Sequence, residues 1–187
     1  ITQQANIPKD TISFFNNVNH ITNDGNPTFT TIGTILIDKI NSKNRIPLSK
    51  NAVCATSDHA KTLYDNGFIA INSSNKNIGA YGFEGLASTA DALRKSSIKF
   101  AGIRSFCEST TINHKGLKIG FASFGNTSYS PSINDSIKIA QTVNKLDSEC
   151  DIVIIAFSID DSYLYVKYNY AGFFPKQWFW RNKSCRL

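Results

Sequence analysis

The sequence predicts an α/β domain built on a largely parallel sheet with flanking helices, and three observations lead there. Four compact apolar runs, at 68–72, 98–103, 117–124 and 151–157, have the length and composition of buried strands. Segments with apolar residues at three- and four-residue spacing precede or separate several of them, as helices do in βαβ units. The chain has 187 residues, 41% apolar and 18% charged, enough for one sizeable core and too few for two independent ones. Residues 1–187 therefore read as a single domain.

Taken in order, residues 1–50 are polar, with Asp24-Gly25-Asn26-Pro27 as a turn and one strand-like stretch at 29–37. Ser57 offers a helix start, Ala60, Leu63 and Tyr64 recur at helical spacing over 57–66, and Gly67 marks the stop. Strand 68–72 runs directly into a loop over 73–82, a position where α/β sheets commonly hold ligands. A helix over 84–96 places Leu86, Ala90 and Leu93 on one face, and strand 98–103 completes a βαβ unit. Lys115-Gly116 forms the turn into strand 117–124. A helix over 132–146 directs Ile137, Ile139, Ala140, Val143 and Leu146 inward, ahead of the most apolar strand, 151–157. All four strands are expected side by side in one sheet. Residues 163–180 then hold nine aromatics, so the tail 163–187 either packs back on the sheet or offers a docking patch.

A net charge of +6 and a pI near 9.1 favour acidic partners, because a positive surface concentrates anions around it. The lysines are scattered and no arginine-rich segment or zinc-finger spacing occurs, so nucleic acid is not an expected partner. No apolar run approaches the roughly 20 residues that cross a bilayer, so the chain is expected to be soluble; a removed signal or membrane-anchored parent stays open. Cys54, Cys107, Cys150 and Cys185 form no CxxC pair. In an exported chain they could make one or two disulfides, and in a reducing compartment they would be small core residues. His59 and His114 are expected as exposed imidazoles. Asp160 and Asp161 end a strand, where they could bind a hard cation weakly or stand as a solvated pair.

Four segments together resemble the CapA family, implicated in poly-γ-glutamate or capsule export and built on a calcineurin-like metallophosphatase domain. Leu63-Tyr64-Asp65-Asn66-Gly67-Phe68 stands where that family has L-x-x-x-G-F, and Asn75-Lys76-Asn77-Ile78-Gly79-Ala80-Tyr81-Gly82 where it has N-N-H-x-x-D-Y-G. The stretch from Gly85-Leu86 through Thr89 to Leu93 is similar to its G-L-x-x-T-x-x-x-L helix, and Gly116-Leu117-Lys118-Ile119-Gly120-Phe121 to its G-x-K-I-G-F strand. A fifth segment, 151–157, is similar to the strand that delivers H-W-G-x-E-Y, here Ser158-Ile159-Asp160-Asp161-Ser162-Tyr163.

The resemblance implies a partial metallophosphatase-like sandwich and, in the family, divalent metal held by Asn and His. Here the metal-binding Asn falls on Lys76, the His on Asn77, the following Asp on Ala80, and the later His on Ser158. Lysine donates only and an amide cannot replace an imidazole, so the resemblance implies a relative without the family's metal, cofactor or catalytic residues. Asn75, Lys76, Asn77, Ser158 and Asp160 are then the candidate polymer- or ligand-binding residues. The expected role is a non-catalytic, exported capsule-biosynthesis protein at the cell envelope or outside it, with an acidic polymer or capsule-assembly proteins as partners. A phosphoesterase with displaced ligands, and an interaction module using the aromatic tail, are the competing readings.

Overall fold

Apolar residues alternate along these strands and fill both faces of two sheets, and that alternation sets the layers. The computed structural model describes residues 15–38 and 53–159, with the backbone of 179–182. Helix α1 (Asn19–Thr22) leads to strands β1 (Thr28–Thr31) and β2 (Ile35–Leu36), then β3 (Cys54–Ala55) and helix α2 (Asp58–Asp65). Next come β4 (Phe68–Asn72), α3 (Gly82–Lys95), β5 (Lys99–Ala101), β6 (Ser109–His114) and β7 (Leu117–Gly125). Helix α4 (Ser136–Glu149), β8 (Ile152–Ser158) and β9 (Phe179–Asn182) complete the order.

The first sheet runs β1-β4-β5 and is wholly parallel; β2 and β3 make a small parallel pair beside it. The second runs β6-β7-β8-β9, with β7 and β8 parallel between two antiparallel edges. The chain is thus α/β with mostly parallel pairing, as the sequence predicts, but the four predicted strands divide two and two between sheets. Isolated apolar runs show which segments are strands and carry no information about which partner each will take.

Three apolar clusters show how the layers stack. Ile71 and Phe100 on the first sheet pack with Leu86, Ala90 and Leu93 of α3. Their neighbours Ala70 and Ala101 point the other way and meet Ile112, Ile119, Phe121 and Ala156 of the second sheet. Ala122, Phe124, Val153 and Ile155 face outward from that sheet onto Leu146 and Cys150 beneath α4. The result is helix, sheet, sheet, helix, a sandwich of the metallophosphatase-like kind. Phe29 and Phe121 meet across the sheets with ring centroids 5.5 Å apart. Fully burying one such side chain contributes about 1.5–3 kcal/mol.

Several local expectations are corrected. Helix α4 begins at Ser136, because Asp135 caps it by accepting a bond from the Lys138 N–H at 2.9 Å. Its buried face is Ile139, Val143 and Leu146; Ile137 is 71% exposed, and Ala140 is exposed as well. His114 lies in β6, a strand the sequence reading did not anticipate, and its Nε2 is 2.9 Å from the Gly25 carbonyl. Lys115 and Gly116 both have positive φ and close the β6–β7 hairpin. His59 is half-buried rather than exposed, its Nδ1 beside Thr56 and its Nε2 without a hydrogen-bond partner among the described residues. Cys54 and Cys107 carry free thiols and Cys150 is buried; Cys185 lies outside the described residues.

Candidate functional site

Strand alternation builds the site. Along β1, β4, β7 and β8 the inner face reads apolar and then polar: Phe29 before Thr31, Ala70 before Asn72, Phe121 before Ser123, Ala156 before Ser158. Residues two apart share a face, so these four strands each follow an apolar core residue with a hydroxyl or amide on the same side. The four polar side chains meet at the carboxyl ends of the strands.

Asn72, 3% exposed, stands at the centre. Its Nδ2 donates to Thr31 Oγ1 at 3.2 Å and to Ser158 Oγ at 3.1 Å. Its Oδ1 accepts from the Ser74 N–H at 2.9 Å and from the Ser123 hydroxyl. One amide therefore ties the end of β1 in its own sheet to β7 and β8 in the other. Buried beside it, Ser74 Oγ donates to the Gly102 carbonyl at 3.1 Å, and Ser73 Oγ has no hydrogen-bond partner among the described residues.

The loop that follows is laced down by its own amides. Asn75 Nδ2 donates to the Ile32 carbonyl at 2.8 Å, and Asn75 Oδ1 accepts from the Asn77 N–H at 2.8 Å. Asn77 Nδ2 reaches the Gly33 carbonyl, also at 2.8 Å. Asn75 and Asn77 are thus half-buried and anchored to the β1–β2 connection, while Lys76 between them is exposed. Tyr81 closes the loop inside the core; burial pushes its phenol up to about 12, and its hydroxyl contacts Cys54 Sγ at 3.9 Å.

Of the five residues singled out in the sequence, Asn75, Lys76 and Asn77 share one loop, and Ser158 joins that loop's root through Asn72. Asp160 lies outside the described residues, as does most of the aromatic tail. Asn72, Thr31 and Ser123 were missed. The signal that could have found them is the polar residue closing each alternating strand on its inner side.

These donors do not fit the divalent metal that the fold family implies. Asn72 Oδ1 already accepts two hydrogen bonds and Asn75 Oδ1 one, Lys76 is a cation, and the remaining groups are neutral hydroxyls. Among the described residues, no three His, Cys, Asp or Glu side chains lie close enough to share an ion. The arrangement can hold two sheets and a loop in register and present neutral hydrogen-bonding groups.

No helix among the described residues is long and apolar enough to cross a membrane. A comparison with curated proteins returns no match. Residues 1–165 match the model of the family described as bacterial capsule synthesis protein PGA_cap, which agrees with the sandwich and with the loop motif that starts at Asn75. Since the match spans most of the 187 residues, this chain belongs to the bacterial capsule synthesis protein family.

Proposed function

We propose that this capsule-biosynthesis chain works without catalysis and contacts an acidic polymer through its basic surface. The observation that carries the reading is the Asn72 cluster. At the strand ends, where this fold family places its metal chemistry, side-chain amides and hydroxyls bond one another, and among the described residues no imidazole or carboxylate joins them to serve as acid, base or metal ligand. What this end of the molecule offers a ligand is the exposed Lys76 on the pinned loop, backed by an excess of 20 Lys and Arg over 14 Asp and Glu. Capsule work puts the chain at the cell envelope, and export is part of the same proposal.

Fluorescent polyglutamate titrated at two ionic strengths provides the test. Each contact would be a solvent-exposed ion pair worth at most about 1 kcal/mol, so binding should be modest and fall steeply toward physiological salt. Lys76→Gln should weaken it severalfold. Salt-insensitive binding would redirect attention to the aromatic residues 163–180, and no binding at low salt would remove the polymer role.

A further inference from the structure

A second feature lies away from the Asn72 cluster, on the open edge of the first sheet. Among the described residues β5 pairs with β4 alone, and a cavity of about 280 Å³ sits where β5 leaves α3 and approaches β6. Arg94, Lys99, Phe100, Phe106, Cys107 and Thr110 line it; two are cations and none is a carboxylate. The Arg94 guanidinium lies 5.6 Å from the centre of the Phe100 ring, a stacking that orients its planar fork. It also meets Asp91 Oδ1 at 3.3 Å and the Phe106 carbonyl at 3.4 Å, both long contacts that leave donors of its five to spare. No carboxylate pairs with Lys99 among the described residues, and nearby Glu108 is held by Lys138 at 2.6 Å. Phe106 is itself braced by Phe83, ring centroids 5.2 Å apart.

We infer that this cavity binds a carboxylate on a short apolar stem, with Arg94 and Lys99 taking the anion and the rings of Phe100 and Phe106 flanking the stem. Its volume of about 280 Å³ falls just below the usual range for small-molecule sites and suits one acidic unit rather than a nucleotide. Arginine's fork pairs naturally with a carboxylate, which favours that anion over a spherical one. That the occupant in the cell is an acidic unit of a polymer rests on the function proposed above; the site itself stands on its lining.

Cys107 reports on occupancy. Its thiol donates to the Phe100 carbonyl at 3.0 Å, and burial pushes it up, so it alkylates slowly enough to follow. The experiment measures iodoacetamide labelling of the Cys107 peptide in the intact chain, with glutarate or inorganic phosphate added, and polyglutamate affinity in parallel. Glutarate is expected to slow labelling, phosphate to have little effect, and Arg94→Gln with Lys99→Gln to abolish the protection. The same pair should lower polyglutamate affinity roughly tenfold, whereas Lys61→Gln with Lys145→Gln, an equal loss of charge elsewhere, should lower it much less. Labelling indifferent to glutarate, equal protection by phosphate, or equal weakening by the two pairs would each overturn the assignment. Protection by glutarate with no polyglutamate binding at low salt would uphold the site and remove the polymer role alone.

Discussion

Replacing Asn72 with alanine is expected to destabilise the fold by roughly 3 kcal/mol or more, lowering the melting temperature by about 6–12 °C for a chain of this size. The amide makes four hydrogen bonds at a position 3% exposed. Truncation leaves the Ser74 N–H and the Ser123 hydroxyl without their acceptor, away from water that could replace it. Ser158→Ala removes one of those bonds at a half-buried position and should cost less than about 1 kcal/mol. Thermal melts of the two variants give the comparison. Equal, small losses would mean that the cluster does not couple the sheets.

A still larger effect is expected at Gly102, where the chain leaves the first sheet. Its φ of +101° lies in the region that side chains avoid. A Cβ there would come within 2.7 Å of the Ser74 nitrogen and 2.8 Å of Ser123 Oγ, and would crowd Ser74 Oγ as well. Backbone strain and overpacking add, so Gly102→Ala should cost about 3–5 kcal/mol and lower the melting temperature by roughly 10 °C or more. Much of that cost comes from pushing apart the hydroxyls that bond Asn72 and the Gly102 carbonyl. A double variant with Asn72→Ala should therefore lose less than the sum of the two.

How far the sequence foretold this depends on the range of the interaction that decides each feature. Strand 68–72 is found residue for residue, because an apolar run between a helix-stopping Gly67 and a polar loop is a local signal. The inward face of α3 is read correctly for the same reason: Leu86, Ala90 and Leu93 recur at helical spacing and are all buried. The inner face of α4 is read too broadly, since Ile137 and Ala140 lie on the side of the helix turned away from Ile139, Val143 and Leu146. Division into two sheets is a tertiary choice, made where the connection 102–108 carries the chain from β5 in the first layer to β6 in the second. The composition Ser109-Thr-Thr-Ile-Asn-His114 hid that strand, being polar on its outward side.

The site was legible in part. The sequence singled out the loop beginning at Asn75 and the strand end at Ser158, but not Asn72, the residue that joins them. An Asn at the end of a strand ordinarily starts a turn, and only the pairing of two inner faces makes Asn72 a bridge between sheets.

Whether this chain holds a divalent ion is best settled by melting the protein with excess Mn²⁺ and again with EDTA. An ion bound only by the folded state raises its stability by RT ln(1 + [L]/Kd), about 2.7 kcal/mol at a hundredfold excess over Kd. For a chain of this length that is a rise of roughly 5–10 °C in melting temperature. Strand ends closed by amide–hydroxyl bonds around Asn72 predict superimposable curves. A rise of several degrees in Mn²⁺ that Asn75→Ala abolishes would contradict the non-catalytic reading and return the chain to the metal-dependent chemistry of its fold.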